Sequence, residues 1–553
     1  MTHFWRIYDI RIITLSYRLF VAAVLLPCAG LLRGQPGDRI KPTLQAIRQI
    51  FPPDSTLIPA ALMRPSIPML PDGTMYAISK DGAVWLAAGE GVTRIDPKAL
   101  EPDRKQYYHG PRYLPAGNIL ALAADDAHGV WVRTAAGAVH IELKPMTLGQ
   151  KAAIFEEQVR LRHDRYGLVA SSILKEPGNL ASNRLHPTDN DGLWTAMYAA
   201  AECFRYAATG SKEALANARK STEAVLFLEE VTGVQGLPAR SYIRKGDWRP
   251  QGGVWHWTND GKYEWKADTS SDEIVGHYYL FGIAYDLLPD ANLKRRIAAT
   301  CTRMTDHILN HGLNLVDIHG LPTYWGQWTE EYFRSKRGKS DSPLNALEIL
   351  SFLKTAHRIT GNERYAREYK RLAIDQGYAA LSAKYLALRQ EINYSDEELA
   401  FLPFYLLFRY ERNESLLAVY RDSLGQWWKN AASEKNPLWT FIYMTSIKSK
   451  ARTPQEDADL EGAVRTLQQI PLDLITWNVN NSHRKDIGID RSLDRFKQAQ
   501  AVTLLSPAER PMMKWNGNPF RIDSGGKGNS EDDGAFYLLP YWMSKYHKIL
   551  LGE

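Results

Sequence analysis

The stretch ADTSSDEIVGHYY, residues 267–279, opens with acidic and small polar residues and continues as an aromatic-rich apolar run. A Ser cap followed by acids in the first turn marks a helix start, because these groups satisfy free backbone N–H groups and complement the helix dipole. We therefore predict six such helices, whose starts share one rim of a closed ring and bring their acids together in a concave funnel. The pattern recurs in TDNDGLWTAMY from Thr188, SDSPLNALEIL from Ser340, YSDEELAFLPFYL from Tyr394, SEKNPLWTFIYM from Ser433 and SEDDGAFYLLPYW from Ser530.

Two classes of helix alternate from residue 147 onward. Inner helices, predicted at 191–207, 272–288, 343–358, 396–410, 436–447 and 533–547, show little amphipathicity, as helices buried on both sides should. Outer helices, predicted at 147–164, 212–231, 291–311, 363–380, 414–430 and 454–469, carry apolar residues at helical spacing. Because the series starts with an outer helix and ends with an inner one, the first can pair with the last.

Residues 1–34 have the pattern of an export signal. Three arginines precede an apolar run over Leu19–Leu32, which is too short for a comfortable membrane span. An uncleaved anchor is the alternative. We predict a signal peptide over 1–34, a linker over 35–65, a periplasmic or secreted mature chain, and no membrane span within it. Whether the two remaining cysteines, Cys203 and Cys301, pair is left open.

A repeat with a period of 46 residues lies within 66–146. Trp85 aligns with Trp131, and Gly91 aligns with Gly137. Alternating apolar residues and glycine turns predict short antiparallel strands. The motif VWLAAGEGVTRID resembles the repeats of two-component-regulator-type propellers, and this resemblance implies two propeller-like blades. Two blades cannot close a propeller. We therefore predict a small β-cap docked on the helical part.

The helical arrangement over residues 147–553 resembles the six-hairpin (α/α)6 toroid of many glycoside hydrolases and polysaccharide lyases. The whole chain resembles bacterial proteins that join propeller repeats to such a toroid. The predicted fold is therefore mainly α, an (α/α)6 toroid with a small N-terminal antiparallel β region. The resemblance implies an oligo- or polysaccharide substrate, but a fold does not by itself define a function.

Composition narrows the remaining function classes. The net charge is +6 without a concentrated basic block, which argues against a nucleic-acid partner. His307 and His311 form an HxxxH pair without the Glu of a zinc motif, and GGKG at Gly525 lacks the spacing of a phosphate loop. We predict no cofactor and no metal. Sixteen Trp and 28 Tyr are compatible with sugar stacking in addition to core packing.

Hydrolysis of a glycosidic bond needs one protonated and one ionised carboxyl group, on opposite sides of the bond. Asp272 or Glu273 is the first predicted catalytic member, and Asp191 or Asp396 is the second. Each of these acids also has a purely structural interpretation as a helix cap with a favourable dipole interaction. Their recurrence around one rim favours the catalytic interpretation for the group as a whole.

Predicted substrate-binding residues come from three regions. The first is the helix starts themselves, with Asp189, Trp194, His277 and Asp532. The second is two Trp-rich loops, with Arg240, Trp325 and Trp328, whose alternative role is to dock the β-cap. The third is the long connection over 471–533, which combines ring faces, amides and a guanidinium in Trp477, Asn481, His483, Arg484, Trp515 and Asn516; its alternative is an ordered lid that satisfies its own backbone.

Two other functions remain open. A polysaccharide lyase acting on uronate-containing glycans would use Asn481, His483 and Arg484 to neutralise a carboxylate, and Tyr278 or Tyr279 to remove a proton. A non-catalytic glycan-binding module would use the same surfaces without turnover. The first hypothesis is an exported glycoside hydrolase-like enzyme that works with paired carboxylates.

Overall fold

A computed structural model describes residues 40–63, 68–389, 392–447, 452–490, 492, 494 and 496–550. Lys41–Leu550 form one compact unit. The predicted signal peptide lies outside the described residues. Within the described ranges, no helix combines the length and the apolar character that a membrane crossing requires.

The helices of the described part alternate between an inner and an outer layer. In chain order they are α1 (Leu148–Arg162), α2 (Asp191–Thr209), α3 (Lys212–Glu230), α4 (Ser271–Leu287), α5 (Ala291–Asn310), α6 (Glu330–Arg334), α7 (Ser342–Thr360), α8 (Glu363–Lys370), α9 (Tyr378–Ser382), α10 (Tyr385–Leu388), α11 (Tyr394–Tyr410), α12 (Glu414–Ala431), α13 (Pro437–Ile447), α14 (Pro454–Gln469) and α15 (Ala535–Tyr546).

Helix contacts close the ring that the sequence predicts. Around the inner layer α2 contacts α4, α4 contacts α7, α7 contacts α11, α11 contacts α13, α13 contacts α15, and α15 returns to α2. Each inner helix also packs on an outer one, and α1 packs on α15, so the first helix pairs with the last. The inner helices are therefore buried on most sides, which explains their weak amphipathicity.

One predicted outer helix is divided. The segment 363–380 forms α8, a π-helical turn over Arg371–Asp375, and then the short helix α9. Gly377, with φ of 71°, stands between the turn and α9 in the left-handed region that favours glycine. Pro403 and Pro540 lie inside α11 and α15 as predicted.

The N-terminal region consists of two antiparallel four-stranded sheets. Their strands are β1 (Thr43–Phe51), β2 (Met75–Ile78), β3 (Val84–Ala88), β4 (Gly91–Ile95), β5 (Lys105–His109), β6 (Ile119–Ala124), β7 (Val130–Thr134) and β8 (Gly137–Met146). One sheet has the order β2-β3-β4-β5 and the other has the order β1-β8-β7-β6. One apolar core, which includes Trp85, Val92, Val132 and Ile141, joins them.

The 46-residue repeat corresponds to equivalent hairpins, since Trp85 and Trp131 lie in β3 and β7 and Gly91 and Gly137 begin β4 and β8. The prediction of a linker over 35–65 is wrong for β1, which pairs along its whole length with β8. Without β1, the ten-residue strand β8 would expose an unpaired sheet edge.

Short strands fill the connections between helices. They are β9 (Asp164–Arg165), β10 (Leu168–Val169), β11 (Ser171–Leu174), β12 (Asn183–His186), β13 (Ser241–Arg244), β14 (Trp255–Trp257), β15 (Tyr263–Lys266), β16 (Asn314–Val316), β17 (Pro322–Gln327), β18 (Val479–Asn480), β19 (Ile489–Asp490), β20 (Gln500–Ala501), β21 (Asp523–Ser524) and β22 (Ser530–Glu531). Cys203 and Cys301 are both buried and unpaired.

Candidate active site

Two side chains stand out at the starts of the inner helices because their neighbours are buried. From Ser271 to Ala284, every residue of α4 is buried except Asp272. From Asp191 to Phe204, every residue of α2 is buried except Trp194. Since α2 and α4 contact each other in the inner ring, a partly exposed carboxylate and a partly exposed indole ring come from the starts of neighbouring helices.

Glu398 lies in the second turn of α11 and is 2% exposed. Its Oε1 atom is buried without a hydrogen-bond partner among the described residues. Burial raises the pKa of Glu398 to about 8, the negative charges of Asp272 and Asp533 add to this rise, and Lys514 opposes it. Asp272 and Glu398 therefore belong to one electrostatic cluster although they come from different helices.

Glu348 adds a third carboxyl group from α7, the helix between α4 and α11 in the ring. It is fully buried, and its Oε2 accepts a 2.8 Å hydrogen bond from Trp328 Nε1. Burial raises the pKa of Glu348 well above its usual value, and the charges of Asp272 and Asp396 act in the same direction. The inner wall thus contains carboxyl groups whose protonated form is favoured by burial.

Lys514 brings a positive charge to this cluster from the long connection between α14 and α15. Its Nζ lies 2.5 Å from Asp533 and 4.1 Å from the centre of the Trp194 ring. Burial lowers the pKa of Lys514, but the charges of Asp533 and Asp532 outweigh that effect and raise it. We call Asp272, Glu398, Lys514, Asp533 and Trp194 the funnel cluster.

Asp532, a predicted binding residue, adjoins the funnel cluster. Burial raises its pKa to about 6, and Lys514 opposes the rise. For Asp533, burial favours the protonated form, yet the positive charge of Lys514 and hydrogen bonds bring its pKa below the usual range. Neighbouring carboxyl groups therefore have pKa values that differ in direction, which is a common feature of acid–base sites.

Asp191 does not join this cluster as an available carboxylate. It is fully buried, and Arg165 Nη2 donates to its Oδ2 over 2.6 Å. The Thr188 N–H and hydroxyl donate to its Oδ1 over 2.9 and 2.6 Å, and the Ser241 hydroxyl also donates to Asp191. This complete set of donors gives Asp191 a structural role in joining α2 to β9 and β13.

Replacement of Arg165 by Met is expected to destabilise the fold by about 3–5 kcal/mol, because it leaves a buried, uncompensated carboxylate. Urea unfolding followed by circular dichroism measures the change. The control is Lys262→Met, which breaks a salt bridge to Asp260 in which the two side chains are 73% and 49% exposed; its expected cost is below about 1 kcal/mol. Equal effects of the two substitutions would contradict this assignment.

Glu273 and His277 are also interior groups. A Cβ atom placed on Gly192 would lie 1.9 Å from Glu273 Oε2, so this carboxyl packs against the first turn of α2. Burial raises the pKa of Glu273 well above its usual value and lowers that of His277 to about 4. His277 Nδ1 lies 2.6 Å from the Glu273 carbonyl oxygen. Neither side chain has solvent exposure.

Asp396 is bound within its own helix start. Arg389 Nη2 lies 2.5 Å from Asp396 Oδ2, and the Asn393 side chain donates to Oδ1. Its neighbour Glu397 is buried against Glu434, and burial together with the charge of Glu434 raises the pKa of Glu397 well above its usual value. Unlike that of Glu397, the pKa of Glu398 is influenced by the charges of Asp272 and Lys514.

The predicted aromatic binding residues divide between the core and the surface. Trp328 is fully buried. Trp515 is 3% exposed, and its Nε1 donates a 2.8 Å hydrogen bond to the Phe536 carbonyl. Trp477 donates to Asp473 over 3.0 Å and packs against the Gly178 and Gly528 loops. Trp325 is 44% exposed and remains available.

Three of the four remaining predicted residues of the long connection are engaged in contacts within the protein. Asn481 is fully buried and donates to two carbonyl oxygens, of Glu509 and Ile522. Arg484 pairs with Glu509 over 2.7 Å, and His483 Nε2 lies 3.0 Å from the Tyr107 hydroxyl of β5. Asn516 is exposed. Asn481, His483 and Arg484, which a lyase would use to neutralise a carboxylate, are therefore already engaged in contacts within the protein.

Tyr278 and Tyr279, the other part of the lyase set, are buried within the ring. The Tyr278 hydroxyl is 2.7 Å from Thr305 of the outer helix α5. Arg240 lies at the rim, where it donates to the carbonyls of Asp268 and Asp189 and to the Asn190 side chain. Within the described ranges, no group of three His, Cys, Asp or Glu side chains is arranged to hold a metal ion.

Glu398, Lys514 and Asp533 are the members of the funnel cluster that the sequence analysis did not predict as site residues. Glu398 lies within a predicted acidic stretch, but its two acidic neighbours carry the same sequence signal. Lys514 has no local signal beyond its place in an unusually long connection.

No family model and no curated protein matches this chain. Among similar solved structures, a sugar epimerase from a ruminal bacterium is 10% identical, with 72% of this chain and 98% of that chain covered and a TM-score of 0.38. A cellobiose 2-epimerase from Spirochaeta thermophila is 14% identical, with 73% and 98% covered and a TM-score of 0.37. An unsaturated glucuronyl hydrolase specific for heparin is 12% identical, with 73% and 98% covered and a TM-score of 0.39.

Proposed function

We propose that the funnel cluster hydrolyses glycosidic bonds of an oligo- or polysaccharide, with Glu398 as the general acid and Asp272 as the second carboxyl group. Two observations carry the proposal: α4 contacts α11, and the pKa of Glu398 is raised to about 8 by burial and by the charge of Asp272. We further take the closed helical ring as an (α/α)6 toroid and the two N-terminal sheets as propeller-like blades. The proposed activity depends on the residues of the site, since a fold alone does not define one.

Glycoside hydrolysis places opposite demands on its two carboxyl groups. The leaving oxygen must receive a proton from an acid that is still protonated near neutral pH, whereas the other carboxyl must act as a base or a nucleophile. Glu398 meets the first demand because burial favours its neutral form. Asp272 fits the second because it is partly exposed while the rest of its helix start is buried.

Lys514 and Trp194 complete the proposed site. Lys514 fixes Asp533 as its counter-ion over 2.5 Å and covers the Trp194 ring at 4.1 Å. A cation held against an indole ring in this way is stabilised by the negative face of the ring. The pair therefore defines one wall of the site beside the two carboxyl groups.

A substrate panel tests the proposal. The purified protein is incubated with neutral and uronate-containing oligo- and polysaccharides, and the assay follows new reducing ends together with the ultraviolet absorbance of unsaturated sugars. Hydrolysis yields new reducing ends without that absorbance, whereas β-elimination yields both. Unsaturated products would contradict the proposal, as would a sugar that is isomerised without bond cleavage.

The rate of hydrolysis is expected to fall above about pH 8, because Glu398 then loses the proton that it must donate. The sign follows from the direction of the shift, since a raised pKa extends the protonated range of a carboxyl upward in pH. A pH profile of kcat/KM over pH 5–10 on the substrate found in the panel measures it. A profile that already falls near pH 5 would show that no acid with a raised pKa takes part.

We also propose that the protein is exported, on the basis of the charge and apolar pattern of residues 1–34. Expression with and without these residues in a bacterial host, followed by separation of periplasm and cytoplasm, tests this. The full chain should be found outside the cytoplasm and the shortened chain inside it. Retention of both in the cytoplasm would contradict the proposal.

A further inference from the structure

A strip of cationic and aromatic side chains borders the starts of α2 and α4. Its exposed rings include Trp248, 42% exposed, and Tyr324, 50% exposed. It extends from β12 across the β13–β15 sheet to β17 and the segment that follows α6. We call it the arginine–aromatic strip and define it by Arg184, Arg240, Trp248, Lys266, Tyr324 and Arg337.

Two of its arginines are stacked on exposed rings. The Arg184 guanidinium lies 4.0 Å from the centre of the Trp248 ring, and the Arg337 guanidinium lies 3.9 Å from the centre of the Tyr324 ring. Stacking of this kind holds the planar guanidinium in one orientation and leaves its edge available for hydrogen bonding. The two pairs are therefore oriented before any ligand binds.

Hydrogen bonds and one salt bridge connect the strip to the loops at the rim of the funnel. Arg240 donates to the Asp268 carbonyl, and Asp268 Oδ1 accepts a 3.2 Å hydrogen bond from the Tyr324 N–H. Arg240 also donates to the Asp189 carbonyl, two residues before α2, and Lys266 pairs with the Asp189 carboxylate. Asp268 stands four residues before Asp272 in sequence. The strip is thus continuous with the loops that carry the two exposed funnel side chains.

The guanidinium charges of the strip, unlike the charge of Lys266, are not paired with carboxylates. In the part of the chain that the structure describes, Arg184, Arg240 and Arg337 form no salt bridge with a carboxylate, whereas Arg165 pairs with Asp191. Arg184 Nε is buried without a hydrogen-bond partner. The guanidinium charges of Arg184 and Arg337 therefore have no counter-ion beside the two exposed rings.

We infer that the arginine–aromatic strip binds the carboxylates of a uronate-containing polysaccharide as its chain enters the funnel. This inference rests on the proposed function and adds the substrate class. A guanidinium matches the two oxygens of a carboxylate with parallel hydrogen bonds, and exposed aromatic rings stack on the apolar faces of sugars. Neutral glycans would use the rings alone and leave the three guanidinium charges without a counter-ion.

The probe is polygalacturonate, with its fully methyl-esterified form as the matched ligand that lacks free carboxylates. Binding to the intact protein is measured by affinity electrophoresis and by calorimetry at low salt, where exposed charges are least screened. Polygalacturonate is expected to bind at least about tenfold more tightly than the ester, a difference of about 1.4 kcal/mol. Equal affinity for the two polymers would overturn the inference.

The variant is Arg184→Gln/Arg337→Gln, and the matched control is Arg219→Gln/Arg421→Gln, which removes two exposed arginines from the outer helices α3 and α12. We expect the first pair to lose most of the preference for polygalacturonate over its ester, whereas the control retains it. A loss of the same size in both variants would reduce the effect to net charge and overturn the inference. Competition by dextran sulfate that depends on the same two arginines and is as strong as that by polygalacturonate would also overturn the inference.

Failure of the proposed function is distinguishable from failure of this inference. Polygalacturonate that binds through Arg184 and Arg337 but is never cleaved would support the strip and contradict the hydrolase proposal. Hydrolysis of neutral glycans alone, with no preference for the free acid in binding, would support the hydrolase proposal and contradict the role of the strip.

Discussion

Glu398→Gln is expected to lower the turnover of glycan hydrolysis by about 10²–10⁴-fold, the usual contribution of a positioned general acid. Glutamine keeps the size and the hydrogen-bonding oxygen of the buried side chain but has no acidic proton to donate. Substrate binding should persist, so the loss should fall on kcat. Initial rates across a range of substrate concentrations, on the substrate identified in the panel, measure both parameters.

The adjacent Glu397→Gln is the matched control. Glu397 is as deeply buried as Glu398, but its carboxyl packs against Glu434. Its replacement should leave kcat within a few-fold of the wild-type value. A variant pair in which Glu397→Gln is inactive and Glu398→Gln is active would reverse the assignment of these neighbours.

Glu398→Gln should also change how the free energy of unfolding depends on pH. A carboxyl with a raised pKa in the folded state contributes stability that is fully present below its unfolded pKa and is lost as pH rises through its folded value, about 8 for Glu398. The Glu398→Gln variant should lack this decline. For the wild-type protein the decline is at most about 1.4 kcal/mol for each unit by which the folded and unfolded pKa values of Glu398 differ. Urea unfolding at pH 5 and pH 8 compares the wild-type protein with the variant. Equal declines in the free energy of unfolding of the two proteins would contradict the burial of a titrating Glu398.

Asp272→Asn is expected to lower kcat by about 10²–10⁴-fold as well, because the amide can act neither as a base nor as a nucleophile. It should leave a second signature. The negative charge of Asp272 raises the pKa of Glu398, so its removal lowers that pKa and moves the alkaline fall of the residual activity to lower pH. A pH profile of the variant at high enzyme concentration measures the shift.

Asp341→Asn is the control for this substitution. Asp341 is also a partly exposed acid at the start of an inner helix, but its carboxylate accepts hydrogen bonds from Arg389 and Tyr332 over 3.0 Å. It should retain kcat within a few-fold and keep the wild-type alkaline limb. An inactive Asp341→Asn beside an active Asp272→Asn would place the second carboxyl on α7 instead of α4.

The ring and its rim follow from the sequence because helix caps and apolar spacing are local signals. Asp272 is a candidate for the same reason, together with Glu273, since both lie in the first turn of a helix that is otherwise apolar. The choice among Asp396, Glu397 and Glu398 could not be made, because consecutive residues of a helix point about 100° apart and the rotation of α11 is set by packing. The partner of Asp396, Arg389, lies outside the helix.

Asp191 shows a second limit of the sequence. Its buried partner Arg165 lies 26 residues away on the short strand β9, so the sequence offers no spacing by which to recognise the pair. Lys514 reaches the funnel from a connection whose path depends on contacts with the β region. Trp325 and Trp328 are three residues apart, yet one is 44% exposed and the other fully buried, a difference that tertiary packing alone decides.

The most direct test of the central claim is a double-mutant cycle on kcat with Asp272→Asn, Glu398→Gln and the two substitutions combined. If both carboxyl groups act on the same bond, the combined variant should be no slower than about the slower single variant, because residues that act as one catalytic unit are strongly non-additive. Losses that multiply, or a single variant with wild-type turnover, would contradict a shared site.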